Sequence, residues 1–267
     1  MVKYNEKEIV ERYLQGETTQ RIGITLGTYN TTIRRILKRH KVELRGCSES
    51  QTVISSELFT CQSDIRDYWL GFIIADGTIG KIDNLVQIGI SDKDEKHLQK
   101  YANWLGIPIK SYLHKRFNKN IVRAAFKNKK VRNYLVSIGI TPNKSKTIKL
   151  GIPLNRDILR GVLDGDGYVR QQSNKAIVEI ATASIDFAHQ IKDYLESENI
   201  TISSIRQGSG VYLVSIYKKE EVKKLYTLLY TDAAVFLERK WERFKPLFHG
   251  NMNVTNTLNS GNLHRES

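Results

Sequence analysis

Two aspartates, Asp76 and Asp166, are the residues whose type and setting point most directly to chemistry. Each closes a decapeptide of one pattern, YWLGFIIADG (Tyr68–Gly77) and ILRGVLDGDG (Ile158–Gly167), and the two acids stand ninety residues apart. Small residues recur at i and i+4 in both copies, Gly71 with Ala75 and Gly161 with Gly165. On a helix that spacing leaves a bare stripe on which a second backbone can approach closely, so the two segments are expected to pack together and bring the acids side by side. Leu70, Phe72, Ile73 and Ile74 in one copy, and Leu159, Val162 and Leu163 in the other, then serve the surrounding core. A carboxylate at a helix C-terminus faces the negative end of the dipole, at a cost of ~0.3–1 kcal/mol, and a neighbouring carboxylate adds repulsion. Such a pair makes chemical sense when a divalent cation, Mg²⁺ or Mn²⁺, occupies the gap, because Mg²⁺ takes one or two carboxylates together with waters and phosphate oxygens. Asp-Gly is also a common helix-ending turn pair. Two copies in matching positions favour the metal-binding reading.

The elements that must position these acids repeat as well. In the first half a helix ending near Ala75 leads to a hairpin with its turn near Asp83-Asn84 and an alternating strand over 85–90. A helix over 93–105, a second hairpin (109–113 and 121–126) and a helix over 131–138 follow. In the second half the hairpins fall at 168–172 with 176–182 and at 202–207 with 211–216, and the helices at 187–195 and 220–229. Each half therefore reads α-β-β-α-β-β-α, a duplicated supersecondary unit. The expected fold class is α+β: a pseudo-twofold duplicated core whose two antiparallel sheets form a saddle, with an all-α module in front.

The paired decapeptides and this order of elements resemble the two-motif, single-chain LAGLIDADG homing endonucleases over about two-thirds of the chain. The resemblance implies that Asp76 and Asp166 are catalytic metal ligands, helped by the backbone carbonyls of Ala75 and Gly165. It implies hydrolysis of both strands of a DNA duplex across the minor groove, leaving short 3′ overhangs. The family often places a Lys just after the second strand of each half. Lys93 is the candidate in the first half, although it equally suits a solvated helical turn. The second half offers only Thr182-Ala183-Ser184 there, so the two acids are expected to have unequal surroundings. Members of the family also occur within inteins. The Met-Val-Lys start and Arg-Glu-Ser end lack the residues of self-splicing and suit an intron-encoded or free-standing protein.

A basic module precedes the core. Residues 5–15 place Ile9, Val10, Tyr13 and Leu14 on one helical face; Thr18 or Thr19 caps a second helix reaching Leu26; a third carries Ile33, Ile36 and Leu37 inward and Arg34, Arg35, Lys38 and Arg39 outward. Residues 4–45 resemble helix-turn-helix modules of bacterial resolvases and regulators, with Tyr29, Thr31, Thr32, Arg34 and Arg35 facing the major groove. A helical cap with a solvated basic face is the plainer alternative. The expected division is 1–45 helix-turn-helix, 46–62 linker, 63–150 first half, 151–248 second half with a final helix over 234–248, and 249–267 disordered tail. On the sheets, strand alternation makes Lys81, Gln87, His114, Arg116 and Arg123 candidates for the DNA-facing side of the first half. Arg170, Gln172, Lys175, Arg206 and Tyr212 are the candidates in the second. In the connector between halves, Lys144 and Lys146 are expected to rest on backbone phosphates.

Composition agrees with a polyanion partner: 42 Lys and Arg against 28 Asp and Glu give +14 over 267 residues, and 40% hydrophobic content supports an ordinary core. Each phosphate neutralised releases counterions. A solubility surface or an RNA-coating protein shares that charge. Cys47 and Cys61 have no neighbouring CxxC and the six His are scattered, which excludes a zinc or disulfide framework. The N-terminus lacks the apolar run of a signal peptide, and the stretch around 69–75 is too short to span a bilayer. The expectation is a monomeric, cytoplasmic, nucleoid-associated protein with duplex DNA as partner and no membrane. An intron RNA maturase and a DNA-binding regulator on the same scaffold are the alternatives.

Overall fold

The computed structural model describes residues 4–44, 54–114, 119–172 and 175–248. Three helices open the chain, α1 (Glu6–Leu14), α2 (Thr19–Thr25) and α3 (Asn30–Arg39). Asn5 and Thr18 cap the first two by accepting from the Glu8 and Arg21 amides. Ile9, Tyr13, Ile22, Ile33, Ile36 and Leu37 form a small core of their own. A Cβ at Gly23 would come within 2.8 Å of the Thr28 carbonyl, so the α2–α3 turn needs glycine at that contact.

The short α4 (Glu57–Thr60) precedes α5 (Asp64–Asp76). Residues 54–62, expected as linker, instead join the core: Ile54 and Phe59 are buried, and Phe59 packs edge-on against Trp104 with ring centroids 5.2 Å apart. Their polar neighbours hide this from a reading of composition. Then come β1 (Gly77–Ile79), β2 (Leu85–Ser91), α6 (Glu95–Leu105), β3 (Ile109–His114), β4 (Lys119–Lys127) and α7 (Lys129–Ser137). The second half repeats the order with α8 (Arg156–Asp166), β5 (Gly167–Gln172), β6 (Lys175–Thr182), α9 (Ile185–Ser197), β7 (Ser204–Gly208), β8 (Val211–Ile216) and α10 (Lys219–Tyr230). The two sheets are antiparallel with the same order, β1-β2-β4-β3 and β5-β6-β8-β7. A single hydrophobic core runs through both halves.

The final helix expected over 234–248 is broken. Only α11 (Glu238–Trp241) is α-helical, followed by a 3₁₀ stretch over 242–248 that contains Pro246. Proline removes a donor and crowds the preceding turn, which disfavours a continuous α-helix. No described helix is long and apolar enough to cross a membrane.

The motif helices α5 and α8 cross at glycines. A Cβ on Gly71 would lie 2.0 Å from the Ile158 carbonyl oxygen, and one on Gly161 would lie 2.1 Å from that of Tyr68. Backbone thus meets backbone, as the small-residue stripes predict. At the opposite end from the acids, Asn155 caps α8 through its Oδ1 while its Nδ2 donates to Asp67 on α5 at 2.8 Å. The two helices are therefore tied at both their crossing and their base.

Candidate functional site

The glycine crossing delivers Asp76 and Asp166 to neighbouring helix tips. A Cβ on Gly165 would sit 3.2 Å from Asp76 Oδ2, so the hydrogen there keeps open space beside that carboxylate. Neither carboxylate accepts a hydrogen bond from another described residue. Burial, followed by the charge of Asp166, pushes Asp76 up to about 6; burial also raises Asp166, whose carboxylate is hemmed in by protein although its residue surface is exposed. Asp76 lines a cavity of about 330 Å³ together with Gly165, Ser91, Asp94, Asn120 and Arg239. Across it Arg239 Nε donates to both Asp94 oxygens, at 2.8 and 2.9 Å, joining the end of the second half to the first.

Two buried lysines complete the tips, and they correct the expectation for Lys93. That residue is exposed on the 3₁₀ turn 92–94 and lines an adjoining cleft with Lys96, Lys100 and Glu242, which shares only Asp94 and Arg239 with the Asp76 cavity. Lys144, expected on a backbone phosphate, is instead buried, and its Nζ donates to the Gly77 carbonyl at 2.5 Å. Lys240 does the same in the second half, donating to the Gly167 carbonyl, with Leu163 O at 3.4 Å. Lys144 follows α7 and Lys240 follows α10, the matching helices of the two repeats, and each bonds to the carbonyl of the residue just after its acid. The two tips thus share a buried lysine, while Asp76 is half-buried and Asp166 exposed. Lys240 went unnamed because it sits within an apolar stretch that reads as a packing helix; the available signal was its place in the repeat, matching Lys144. Burial lowers both lysines, Lys240 to about 8, and both cations act back on the carboxylates.

No group of three or more His, Cys, Asp or Glu side chains able to hold a metal occurs among the described residues. The two carboxylates and the helix-end carbonyls of Ala75 and Gly165 nonetheless offer all-oxygen donors with no protein hydrogen bonds on the carboxylates. That donor set fits a hard divalent cation, which needs only one or two carboxylates when waters and phosphate complete its shell.

The raised Asp76 carboxyl has a consequence for stability. The native state holds this proton more tightly than the unfolded chain, so metal-free stability falls as pH rises from 3.8 to about 6 and stays lowered above. Asp76→Asn removes that cost. With chelator present, the variant is expected to be more stable than wild type by about 3 kcal/mol above the Asp76 transition. The difference should vanish below the ordinary carboxylate range, as urea unfolding across pH will show.

The outer faces of the sheets carry most of the other candidates. Gln87 and Arg123 lie on the outward register of the first sheet, where Gly89 pairs with Arg123 and Gln87 with Ala125. Arg123 stacks 4.6 Å over the Tyr112 ring and donates to its hydroxyl at 2.7 Å. Lys81 is exposed in the β1–β2 turn, and Lys146 is exposed in the connector. In the second sheet Arg170 is exposed, and Arg206 faces outward, donating to Glu179 at 2.7 Å. Tyr212 is corrected: its register with Thr182 puts it on the inner side with Val214 and Ile216, against the core. Arg116 and Cys47 lie outside the described residues, as does the tail from 249. For His114, Gln172 and Lys175 only the backbone register is described. On the N-terminal module Tyr29, Thr31, Arg34, Arg35 and Lys38 are exposed and Thr32 is half-buried.

Residues 153–229 match the family model described as a LAGLIDADG-like domain, and the first half repeats that domain's order of elements. Among curated proteins, an ATP-dependent DNA helicase, Hel308 of Thermococcus kodakarensis, is 31% identical over 186 residues. That match covers 60% of this chain and 16% of the helicase, so the chain spans only a small part of that relative. Among solved structures, full-length WhiA from Thermatoga maritima aligns with a TM-score of 0.50 at 14% identity, covering 78% of this chain and 69% of that one. The I-LtrWI LAGLIDADG homing endonuclease bound to target DNA aligns at 0.48 and 10% identity, covering 72% and 89%. At 14% identity, the WhiA alignment speaks for the fold alone.

Proposed function

We propose that this chain is a site-specific endonuclease of double-stranded DNA that uses a divalent cation held by Asp76 and Asp166. The observation that carries the reading is the pair of carboxylates at touching helix tips, each with a buried lysine bonded to the carbonyl just after it. A protein that only binds DNA gains nothing from acids that repel phosphates, and two such acids at matched tips fit metal-assisted hydrolysis. When bound, the cation supplies polarisation of the scissile phosphate and activation of water. The chain's own contribution is positional and electrostatic. The glycine crossing sets the spacing of the acids. Lys144 and Lys240 place positive charge beside both tips, where charge develops on phosphate oxygens, and Arg239 is held by Asp94 at the rim.

In this reading the outward residues Lys81, Gln87, Arg123, Arg170 and Arg206 meet the duplex, with the cut made across the minor groove to leave 3′ overhangs. The α1–α3 module lays α3 in an adjacent major groove through Tyr29, Arg34 and Arg35, where Arg to guanine is the commonest specific contact. A narrow A-form major groove would exclude that helix, which favours DNA over intron RNA.

The test is selection from a randomised duplex library incubated with Mg²⁺. Recovery of one cut sequence is expected; enrichment by binding without cutting would turn the reading toward a regulator. Removing residues 1–45 should weaken binding and flatten the salt dependence, by about 1 in the log–log slope for each of its Lys or Arg side chains that meets a phosphate, Lys38 among them. Cutting should persist at high protein concentration.

A further inference from the structure

Asp164 is the other carboxylate of the second decapeptide, and it faces away from the tip. Two residues along a helix turn it about 200° from Asp166, into the space between α8, α5 and α10, where it is 0% exposed. It accepts three hydrogen bonds: from the Tyr68 hydroxyl at 2.9 Å, the Tyr230 hydroxyl at 2.7 Å and the Leu237 amide at 2.6 Å. With its proton committed to Asp164, the Tyr68 oxygen accepts from His97 Nε2 at 2.7 Å, which assigns the ring proton to that nitrogen. Arg160 braces the same region by donating to the Leu229 and Val235 carbonyls, each at 2.9 Å.

Leu237 is the residue before α11, a helix start with no side-chain cap. Three residues on, Lys240 reaches the carbonyl that follows Asp166. The bond from Leu237 to Asp164 is thus a fully buried fixed point at the start of the turn that delivers Lys240, while the neighbouring Arg239 is held at the rim by Asp94. In the first half the equivalent position is Ile74, and Lys144 arrives on a 3₁₀ turn over 144–146 with no carboxylate anchor among the described residues. We propose that Asp164 is a positioning residue that sets Lys240 beside Asp166 and so governs one of the two half-sites, an inference that rests on the endonuclease reading. A buried acceptor with three donors is satisfied in one arrangement, and its removal leaves those donors unpaired and releases Leu237, downstream of the Val235 carbonyl that Arg160 still holds.

Two measurements on the full chain decide it. The first needs no substrate: lysine acetylation by a soluble reagent, mapped by mass spectrometry. Lys144 and Lys240 are each 6% exposed and should both be protected in the wild type. In Asp164→Ala only Lys240 should become reactive. The second follows both strands of a labelled target duplex. The strand whose cutting is lost in Lys240→Met should be cut about tenfold or more slowly in Asp164→Ala, while the other strand keeps its rate and Lys144→Met shows the opposite bias. Asp164→Asn, which retains an acceptor for the Leu237 amide, should fall between wild type and Asp164→Ala and guards against loss of folding. Equal slowing of both strands, or equal exposure of both lysines, overturns the proposal. If the wild type cuts nothing, the endonuclease reading fails by itself, and the acetylation pattern still decides whether Asp164 anchors Lys240.

Discussion

Asp76→Asn and Asp166→Asn are each expected to lower Mg²⁺-dependent cleavage by about a thousandfold or more, while affinity for the target duplex stays close to wild type. The reasoning starts from the donor set. Each tip contributes one carboxylate, and the amide that replaces it is a neutral, weaker oxygen donor for a hard cation. Loss of a ligand that supports several kcal/mol of transition-state charge stabilisation corresponds to about three orders of magnitude in rate. Binding depends instead on phosphate contacts from Lys and Arg, and removing a negative charge near the backbone does not weaken them. Single-turnover cutting and equilibrium binding, measured on one duplex, separate the two effects. A variant that still cuts at the wild-type rate would remove Asp76 or Asp166 from the centre. The same experiment on Lys93→Ala should show little change, because that side chain is exposed and lines the adjoining cleft on the far side of the Asp94–Arg239 pair, whereas Asp76 lines the other.

A second large effect is expected at the helix crossing. Gly71→Ala and Gly161→Ala each introduce a methyl whose carbon would stand 2.0 or 2.1 Å from a carbonyl oxygen of the facing helix. Both obstacles are backbone, so no side chain can rotate away and the helices must move apart. Overpacking of this kind costs about 3 kcal/mol or more, and it also displaces the two acids relative to each other. Each variant should therefore show a lowered denaturation midpoint and, where still folded, lowered cleavage. Gly208→Ala is the matched control, since nothing lies within 4 Å of a Cβ there; it should stay within about 0.5 kcal/mol. The two motif variants should not be additive when combined, because both wedge apart the same contact. Wild-type stability in Gly161→Ala would mean that the helices cross elsewhere.

Much of the positioning scheme is readable in the residues alone. Helical spacing of Ile9 with Tyr13 and of Ile33 with Ile36 and Leu37 identifies the N-terminal helices, and their buried faces agree. Period-two alternation in 85–90 and 176–182 identifies the central strands, because one face of each sheet is covered by helices. The edges of this pattern fail where a neighbour in space overrides local character. Ile54 and Phe59 sit in polar surroundings yet are drawn into the core. Tyr212 is amphipathic, and only its pairing with Thr182 shows which way it faces. The stretch 234–248 has helical spacing, but Pro246 and the tether of Leu237 to Asp164 divide it.

What the sequence by itself determined is the identity of the two acids, their repeat and the small residues that let their helices touch. Those are local properties, carried by residue type and by a spacing set by the helical turn. The contacts of the two lysines beside these tips were decided by tertiary structure. Lys144 and Lys240 are remote in sequence from the acids they serve, and only chain return over the end of each half brings their ammonium groups to the Gly77 and Gly167 carbonyls. Asp164 belongs to the same category: its type is visible in the decapeptide, but its three donors come from α5, α10 and the segment before α11. Spacing along one helix reports which side chains share a face, whereas charge and hydrogen-bond partners are set by whatever the fold brings against that face.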